Sequence, residues 1–121
     1  MKGYVTDIEK ATVENDNFEK VLFTSRHHQL VVMSLAPGED IGSEVHDDLD
    51  QFTRIEQGDG IVEMDGERME IHDDFAFIVP AGTRHNVINT SGERPLKLYS
   101  VYSSPDHPDG EVLRTKAERD Q

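Results

Sequence analysis

Short apolar runs recur along the chain at intervals of about ten residues, and this regular spacing is the feature that most limits the fold. The runs are rich in Val, Ile, Phe and Tyr, the residues that favour β-strands. The predicted strands are Phe18–Phe23, Gln29–Leu35, Ile41–His46, Gln51–Gln57, Gly60–Met64, Arg68–Ile71, Phe75–Val79, His85–Asn89 and Leu96–Tyr102. Turn-forming pairs such as Pro37-Gly38 and Asp65-Gly66 separate them, and Asp65-Gly66 predicts a hairpin. Many short strands at this spacing are typical of an all-β sandwich, barrel or jelly roll.

The two ends of the chain are more polar than its middle, which indicates one β domain with short additions. We expect an N-terminal extension over residues 1–17, the β domain over residues 18–103 and a C-terminal tail over residues 104–121. The extension contains a possible helix around Thr6–Thr12. In the tail, Thr115 and Glu118 have the spacing of a capping box, which predicts a terminal helical turn.

The charge balance excludes several classes of function. The chain has 12 Lys and Arg against 25 Asp and Glu, for a formal net charge of −13. A chain this acidic is a poor partner for nucleic acid. No apolar run is long enough to span a bilayer or to serve as a signal peptide, so we expect a cytoplasmic protein with no membrane partner. The absence of cysteine excludes disulfides, thiolate nucleophiles and sulfur-ligated metals.

Four polar residues are candidates for one metal site. Glu44 and His46 lie two positions apart on a predicted strand, so their side chains face the same side. Gln51 opens the predicted return strand, and His85 opens another strand after the turn Pro80-Ala81-Gly82. Two imidazoles, a carboxylate and an amide oxygen are together suited to enclosing one divalent ion.

The spacing of these residues resembles that of a known family. One stretch reads Gly38…Glu44-x-His46-x4-Gln51-x6-Gly58, and the other reads Pro80-x-Gly82-x-x-His85-x-x-x-Asn89. They resemble the first and second motifs of the cupin family, and the resemblance extends over roughly residues 29–102. It implies a double-stranded β-helix, a small jelly-roll barrel that holds a metal inside one end.

The resemblance also implies a role for each candidate. The first cupin motif usually reads His-x-His-x4-Glu, and all three residues are ligands. Glu44 stands at the first His, His46 at the second His and Gln51 at the Glu, while His85 matches the His of the second motif. The ligand set keeps one negative charge, because a carboxylate stands at the first position of the motif instead of the last. Gln at the Glu position also resembles small sugar-acid cupins that linearise unsaturated uronates.

The donor types restrict the cofactor to a divalent transition metal. Because the donors are nitrogen and oxygen, Mn, Fe, Co, Ni and Zn are all open. The alternative is that Glu44 is a solvated carboxylate at the barrel rim, that the Pro80-Gly82 turn serves only the fold, and that no metal binds. The remaining histidines, in solvated hairpins, strand ends or loops, are weaker candidates: His27, His28, His72 and His107.

Three functions fit this pattern. The first is a metal-dependent enzyme that isomerises or opens the ring of a sugar-like or other small polar metabolite. The second is a non-haem Fe(II) dioxygenase, whose two-His, one-carboxylate donor set is present. The third is a non-catalytic module that binds a metal or a small ligand. Apolar Phe52 and Ile88 alternate with the inward-facing positions, so we also expect packing against a second copy in a homodimer.

Overall fold

The computed structural model describes residues 2–121, which form nine strands and two short helices. In chain order the elements are α1 (Ile8–Val13), β1 (Glu19–Thr24), β2 (Gln29–Leu35), β3 (Asp50–Gln57), β4 (Gly60–Met64), β5 (Glu67–Ile71), β6 (Ala76–Val79), β7 (His85–Asn89), β8 (Leu96–Ser103), β9 (Val112–Leu113) and α2 (Lys116–Arg119). The all-β prediction is confirmed. Neither described helix has the length or the apolar character that crossing a bilayer demands.

Two antiparallel sheets form the double-stranded β-helix. One sheet has six strands in the order β6-β3-β8-β2-β1-β9, and the other has three in the order β5-β4-β7. Apolar side chains from both sheets make the core, because alternate residues of each strand point to the same side. Among the most buried are Val31, Leu35, Ile55, Val62, Leu96 and Leu98.

Strand alternation places the inward-facing residues as expected. On β3, Gln51 and Thr53 are buried, whereas Phe52 between them is 37% exposed. On β7, His85 and Asn89 are buried. Phe52 pairs across the sheet with Ile78, which is 60% exposed. The homodimer expected from apolar side chains on the outer face stays a prediction.

Two turns show why glycine is needed where it stands. The predicted hairpin at Asp65-Gly66 joins β4 to β5, and both residues have positive φ, as a two-residue turn of the primed type requires. Gly58 has φ of 116°, and a Cβ there would lie 2.9 Å from the carbonyl oxygen of Pro95. Gly58 therefore permits the close approach of the β3–β4 turn to the start of β8.

One predicted strand is wrong. Residues 41–46 form no regular strand, and the pairing there consists of isolated bridges at Asp40 and Glu44. Gly42, with φ of 105°, interrupts the extended backbone. Strict alternation consequently fails: a regular strand would put Ile41 and Glu44 on opposite sides, but both line the same two cavities.

Both chain ends are fastened to the β-strands. In the N-terminal extension, Asp7 caps α1, which begins at Ile8 rather than at Thr6. The Asn17 carbonyl accepts a hydrogen bond from the Ser34 N–H of β2 at 3.1 Å.

In the tail, β9 pairs with β1, so residues beyond 103 complete the six-stranded sheet. Half of the predicted capping box forms: the Thr115 side chain accepts a hydrogen bond from the Glu118 N–H, but the Glu118 carboxylate accepts from the Arg114 N–H rather than from that of Thr115. The predicted terminal helical turn, α2, follows.

Candidate metal centre

The main chain sets the position of the first candidate ligand. The N–H of Glu44 donates to the His85 carbonyl, and the N–H of His85 donates to the Glu44 carbonyl, both at 2.9 Å. The Gly82 N–H donates to the His46 carbonyl at 2.7 Å. The segment over residues 44–46 is therefore attached to the start of β7 and to the turn before it. These contacts hold Glu44, His46 and His85 near one another although the segment is not a regular strand.

Glu44, His46 and His85 form a compact cluster. One possible ligand atom from each lies within 4.8 Å of the others. His46 Nε2 is 3.3 Å from Glu44 Oε2, and the two imidazole rings lie 5.2 Å apart. The other nitrogen of His46 faces Asp106, with Nδ1 3.7 Å from Oδ1. The predicted convergence of Glu44 and His46 is thus present in the structure.

Neighbouring groups orient His85 of the cluster and one further donor, Gln51. His85 Nδ1 lies 2.9 Å from the Thr83 carbonyl, which only accepts, so Nδ1 carries the proton and Nε2 keeps a lone pair. The Gln51 amide nitrogen donates to Thr53 Oγ1 at 3.1 Å. This contact leaves Gln51 Oε1 buried and without a hydrogen-bond partner. Gln51 is therefore positioned to offer an oxygen rather than an N–H.

The pKa shifts keep the carboxylate charged. Burial raises the pKa of Glu44, but the neighbouring His46, with smaller contributions from His85 and Arg119, outweighs it, so the pKa is lowered overall. The Glu44 carboxylate in turn raises the pKa of His46 against the opposing effect of burial. An ionised Glu44 is the anionic donor that a cation needs when the other donors are neutral.

Two cavities adjoin the cluster. The smaller has a volume of about 10 Å³ and is lined by Glu44, Gln51, His85 and Tyr102 among others. It has room for a single ion or water. The larger has a volume of about 310 Å³, and its wall includes Glu44, Tyr102 and Arg119. A small metabolite in the larger cavity would contact the edge of the cluster.

The four residues predicted from the sequence fit a divalent cation. Gln51 Oε1 is buried without a hydrogen-bond partner, and His46 Nε2, also buried, faces the Glu44 carboxylate at 3.3 Å. An unpaired buried oxygen is costly, and a cation between Gln51, Glu44 and the imidazoles would satisfy it. Two imidazoles, a carboxylate and an amide oxygen suit Mn, Fe, Co, Ni or Zn. That these residues hold a metal stays a prediction.

Sequence reasoning missed other polar groups on the wall of the larger cavity, namely Glu19, His107, Glu111 and Arg119. The sequence does indicate that Glu19 faces inward, because it lies two residues before Val21, a core residue of the same strand. His107 was considered only as a weak candidate. His28 and His72 lie away from the cluster: His28 contacts Ser103, and His72 contacts Asp59.

Comparisons with known proteins agree with this architecture. A family described as "Cupin domain" matches residues 31–102. YrkC, an uncharacterized protein of Bacillus subtilis (strain 168), is 51% identical over 123 residues, which cover 97% of this chain and 66% of YrkC. The chain thus spans slightly less than two thirds of that relative's length.

Solved structures resemble most or nearly all of the chain. BH2720 from Bacillus halodurans has a TM-score of 0.93 and 48% sequence identity, covering 96% of this chain and 92% of that one. KdgF from Halomonas sp. has a TM-score of 0.67 and 22% identity, covering 73% of this chain and 78% of that one. At this lower identity the likeness to KdgF is one of fold.

Proposed function

The chain belongs to the cupin family, and from that premise we propose that it is a metal-dependent enzyme acting on a sugar-like or other small polar metabolite. The reaction class is isomerisation or ring opening. The observation that carries the proposal is the cluster of Glu44, His46 and His85, with the unpaired oxygen of Gln51, beside a cavity of about 310 Å³. That volume suits a small metabolite rather than a polymer.

Each donor in the cluster has a defined task. His46, Gln51 and His85 contribute neutral donors, and Glu44 contributes the negative charge. A divalent ion, when bound, polarises a carbonyl or hydroxyl oxygen as a Lewis acid. If Glu44 is not a ligand, its carboxylate is placed to accept or return a proton on the substrate.

Two other residues suit the cavity to an oxygen-rich ligand. Burial raises the pKa of Tyr102, so its hydroxyl keeps its proton and is able to donate a hydrogen bond. Arg119 donates to the Ile41 carbonyl at 2.7 Å and lies 3.6 Å from Glu44 Oε1. This guanidinium offsets the charge of Glu44 where the cavity opens. The carboxylates of Glu44 and Glu111 on the same wall repel anions, so a neutral sugar-like metabolite suits the site better than a sugar acid.

The donor set favours one alternative, a non-haem Fe(II) dioxygenase. Such enzymes hold iron with two His and one carboxylate, and His46, His85 and Glu44 supply these groups. In that case Gln51 helps to position the neighbouring side chains but is not a ligand of the iron.

One experiment separates the candidates. Protein freed of metal with EDTA is reloaded separately with Mn, Fe(II), Co, Ni or Zn and mixed with aldoses, ketoses and saturated or unsaturated uronates. Proton NMR follows substrate, and an oxygen electrode follows oxygen. The proposal expects substrate conversion without oxygen uptake, abolished in His85→Ala and kept in Asp47→Ala, which changes an exposed acid in the same region.

The other outcomes favour the alternatives. Oxygen uptake matched to substrate loss with Fe(II) supports the dioxygenase. Binding of a metabolite with no conversion under any metal supports a non-catalytic binding module. Either result removes the proposed isomerase or ring-opening activity.

A further inference from the structure

A second cluster of possible ligands lies on the wall of the larger cavity. It consists of Glu19, His107 and Glu111, and one ligand atom from each lies within 4.8 Å of the others. Glu19 Oε1 is 3.2 Å from His107 Nδ1. None of these residues belongs to the predicted cupin motifs, so the cluster is separate from the centre described above.

The main chain fixes all three members. Glu19 lies in β1, between β2 and β9. The fully buried amide of Gln29 accepts hydrogen bonds from the N–H groups of Asp106 and His107 and donates to the His107 carbonyl, at 2.8 to 3.0 Å. The Glu111 carbonyl accepts from the Val21 N–H at 2.9 Å. The cluster is thus assembled before any ligand arrives.

Among the described residues, His107 is the ion-pair partner of Glu19, and it reaches only one of the two carboxyl oxygens. The Glu19 side chain is 3% exposed, and its Oε2 has no hydrogen-bond partner. Glu111 brings a second carboxylate beside it, and burial, with Glu111 and Glu44 adding to its effect, raises the pKa of Glu19 to about 8. Arg119 is the nearby cation, but it contacts the Ile41 carbonyl, Asp120 and Glu44. His107 Nε2 is also buried without a hydrogen bond, and it lies 3.7 Å from Asp106 Oδ2.

A buried carboxyl group with a second, partly exposed carboxylate beside it needs either a shared proton or a cation between the two. We propose that Glu19, His107 and Glu111 form a second divalent-cation site, distinct from the Glu44, His46, Gln51 and His85 centre. One imidazole nitrogen and carboxylate oxygens suit Zn²⁺ or Mn²⁺, and three protein ligands leave a coordination position facing the cavity. The proposal does not depend on the activity proposed above.

Metal content of the full chain tests this proposal. Metal-free protein is dialysed against buffered Zn²⁺, and zinc per chain is measured by inductively coupled plasma mass spectrometry. Wild type is expected to bind two ions. Glu19→Gln and Glu111→Gln are each expected to bind one, because the amide removes the charge while keeping the shape. His85→Ala is also expected to bind one, at the second site.

Controls make the result specific. Asp109→Asn changes an exposed carboxylate in the same tail and is expected to keep two ions. Circular dichroism and thermal melting confirm that each variant is folded, and Glu111→Gln, at a partly exposed position, serves if Glu19→Gln is unstable.

The outcomes distinguish the two sites. If Glu19→Gln and Glu111→Gln keep the zinc content of wild type, or if His85→Ala binds none, the second site is overturned and a shared proton satisfies the two carboxylates. A third outcome is that wild type binds one zinc ion per chain. If Glu111→Gln loses that ion and His85→Ala keeps it, the second site is supported, and the metal centre on which the proposed function rests is removed.

Discussion

Glu44 and His85 face each other across a pair of main-chain hydrogen bonds, each N–H donating to the other residue's carbonyl at 2.9 Å. Residues paired in this way project their side chains to the same side. His85 is also paired through β7 with Met64 of β4, so its backbone is held from both sides. Main-chain hydrogen bonds therefore set the geometry of the candidate centre. Substitutions of the side chains in this centre should leave the fold intact.

The first prediction ranks the donors of the candidate centre. His85→Ala and Glu44→Ala should weaken metal binding by roughly 100-fold or more, and Gln51→Ala by about tenfold. Glu44 is the anionic donor, so its loss leaves a dipositive ion among neutral groups, whereas a water can replace the Gln51 oxygen. Competition with a chromophoric chelator measures each affinity.

The control for this series is Asp47→Ala, an exposed acid that should bind metal as wild type does. If Glu44→Ala retains metal as well as wild type while His85→Ala loses it, Glu44 is a carboxylate beside the site and not a ligand.

The second prediction concerns Gln51→Glu, which restores the residue usual in the first cupin motif. Gln51 is 4% exposed, so a carboxylate there is poorly solvated in the metal-free protein and should lower its melting temperature. With metal bound, the added negative donor should raise affinity. Differential scanning calorimetry with EDTA and with saturating Mn²⁺ should show a larger metal-induced shift than in wild type. An equal shift in Gln57→Glu, at the far end of β3, would show that the effect is not specific to position 51.

The third prediction concerns the buried amide that fastens the tail. Gln29→Leu removes the hydrogen bonds to the main chain of Asp106 and His107 and leaves these polar groups unpaired. The free energy of unfolding, measured in urea, should fall by about 3 kcal/mol. Limited proteolysis should cut the tail earlier than in wild type. His27→Ala, an exposed change two residues away, should alter neither result. Unchanged protection of the tail in Gln29→Leu would mean that β9 alone holds it.

The fourth prediction tests the close approach at the β3–β4 turn. Gly58→Ala should destabilise the protein by about 2 kcal/mol or more, since alanine is strained at φ of 116° and its Cβ would meet the Pro95 carbonyl oxygen. Gly92→Ala is the matched control, because a Cβ there meets nothing within 4 Å. Thermal or urea unfolding compares the two, and equal stabilities would contradict the structural role of Gly58.

The fifth prediction is a pH dependence at the surface. The Asp59 carboxylate, 2.8 Å from His72 Nδ1, raises the pKa of His72 above its ordinary value of 6.5. The contact therefore stabilises the folded state fully below the unfolded-state pKa and is lost as pH rises through the higher folded-state value. Proton NMR of the His72 ring should show Asp59→Asn lowering this pKa. Asp120→Asn, which changes a distant exposed acid, should leave the titration of His72 where it is in wild type.

The strand pattern and several turns could be predicted from local sequence. The Asp65-Gly66 pair specifies the hairpin because both positions need positive φ. Strand alternation alone places Gln51 and His85 inside and Phe52 outside. The motif spacing likewise selected residues that the fold brings together, since spacing along strands translates directly into position on a sheet.

Long-range contacts decided what the sequence could not. Residues 41–46 resemble a strand because Ile41 and Val45 flank polar residues at alternating positions, yet Gly42 and the contacts with β7 leave only isolated bridges at Asp40 and Glu44. Glu19 and His107 lie far apart in the chain and meet because Gln29 and β9 fold the tail onto β1. Alternation and turn chemistry act between near neighbours and can be read from the sequence. A cluster assembled across the barrel depends on backbone pairing between distant segments, which only the tertiary structure determines.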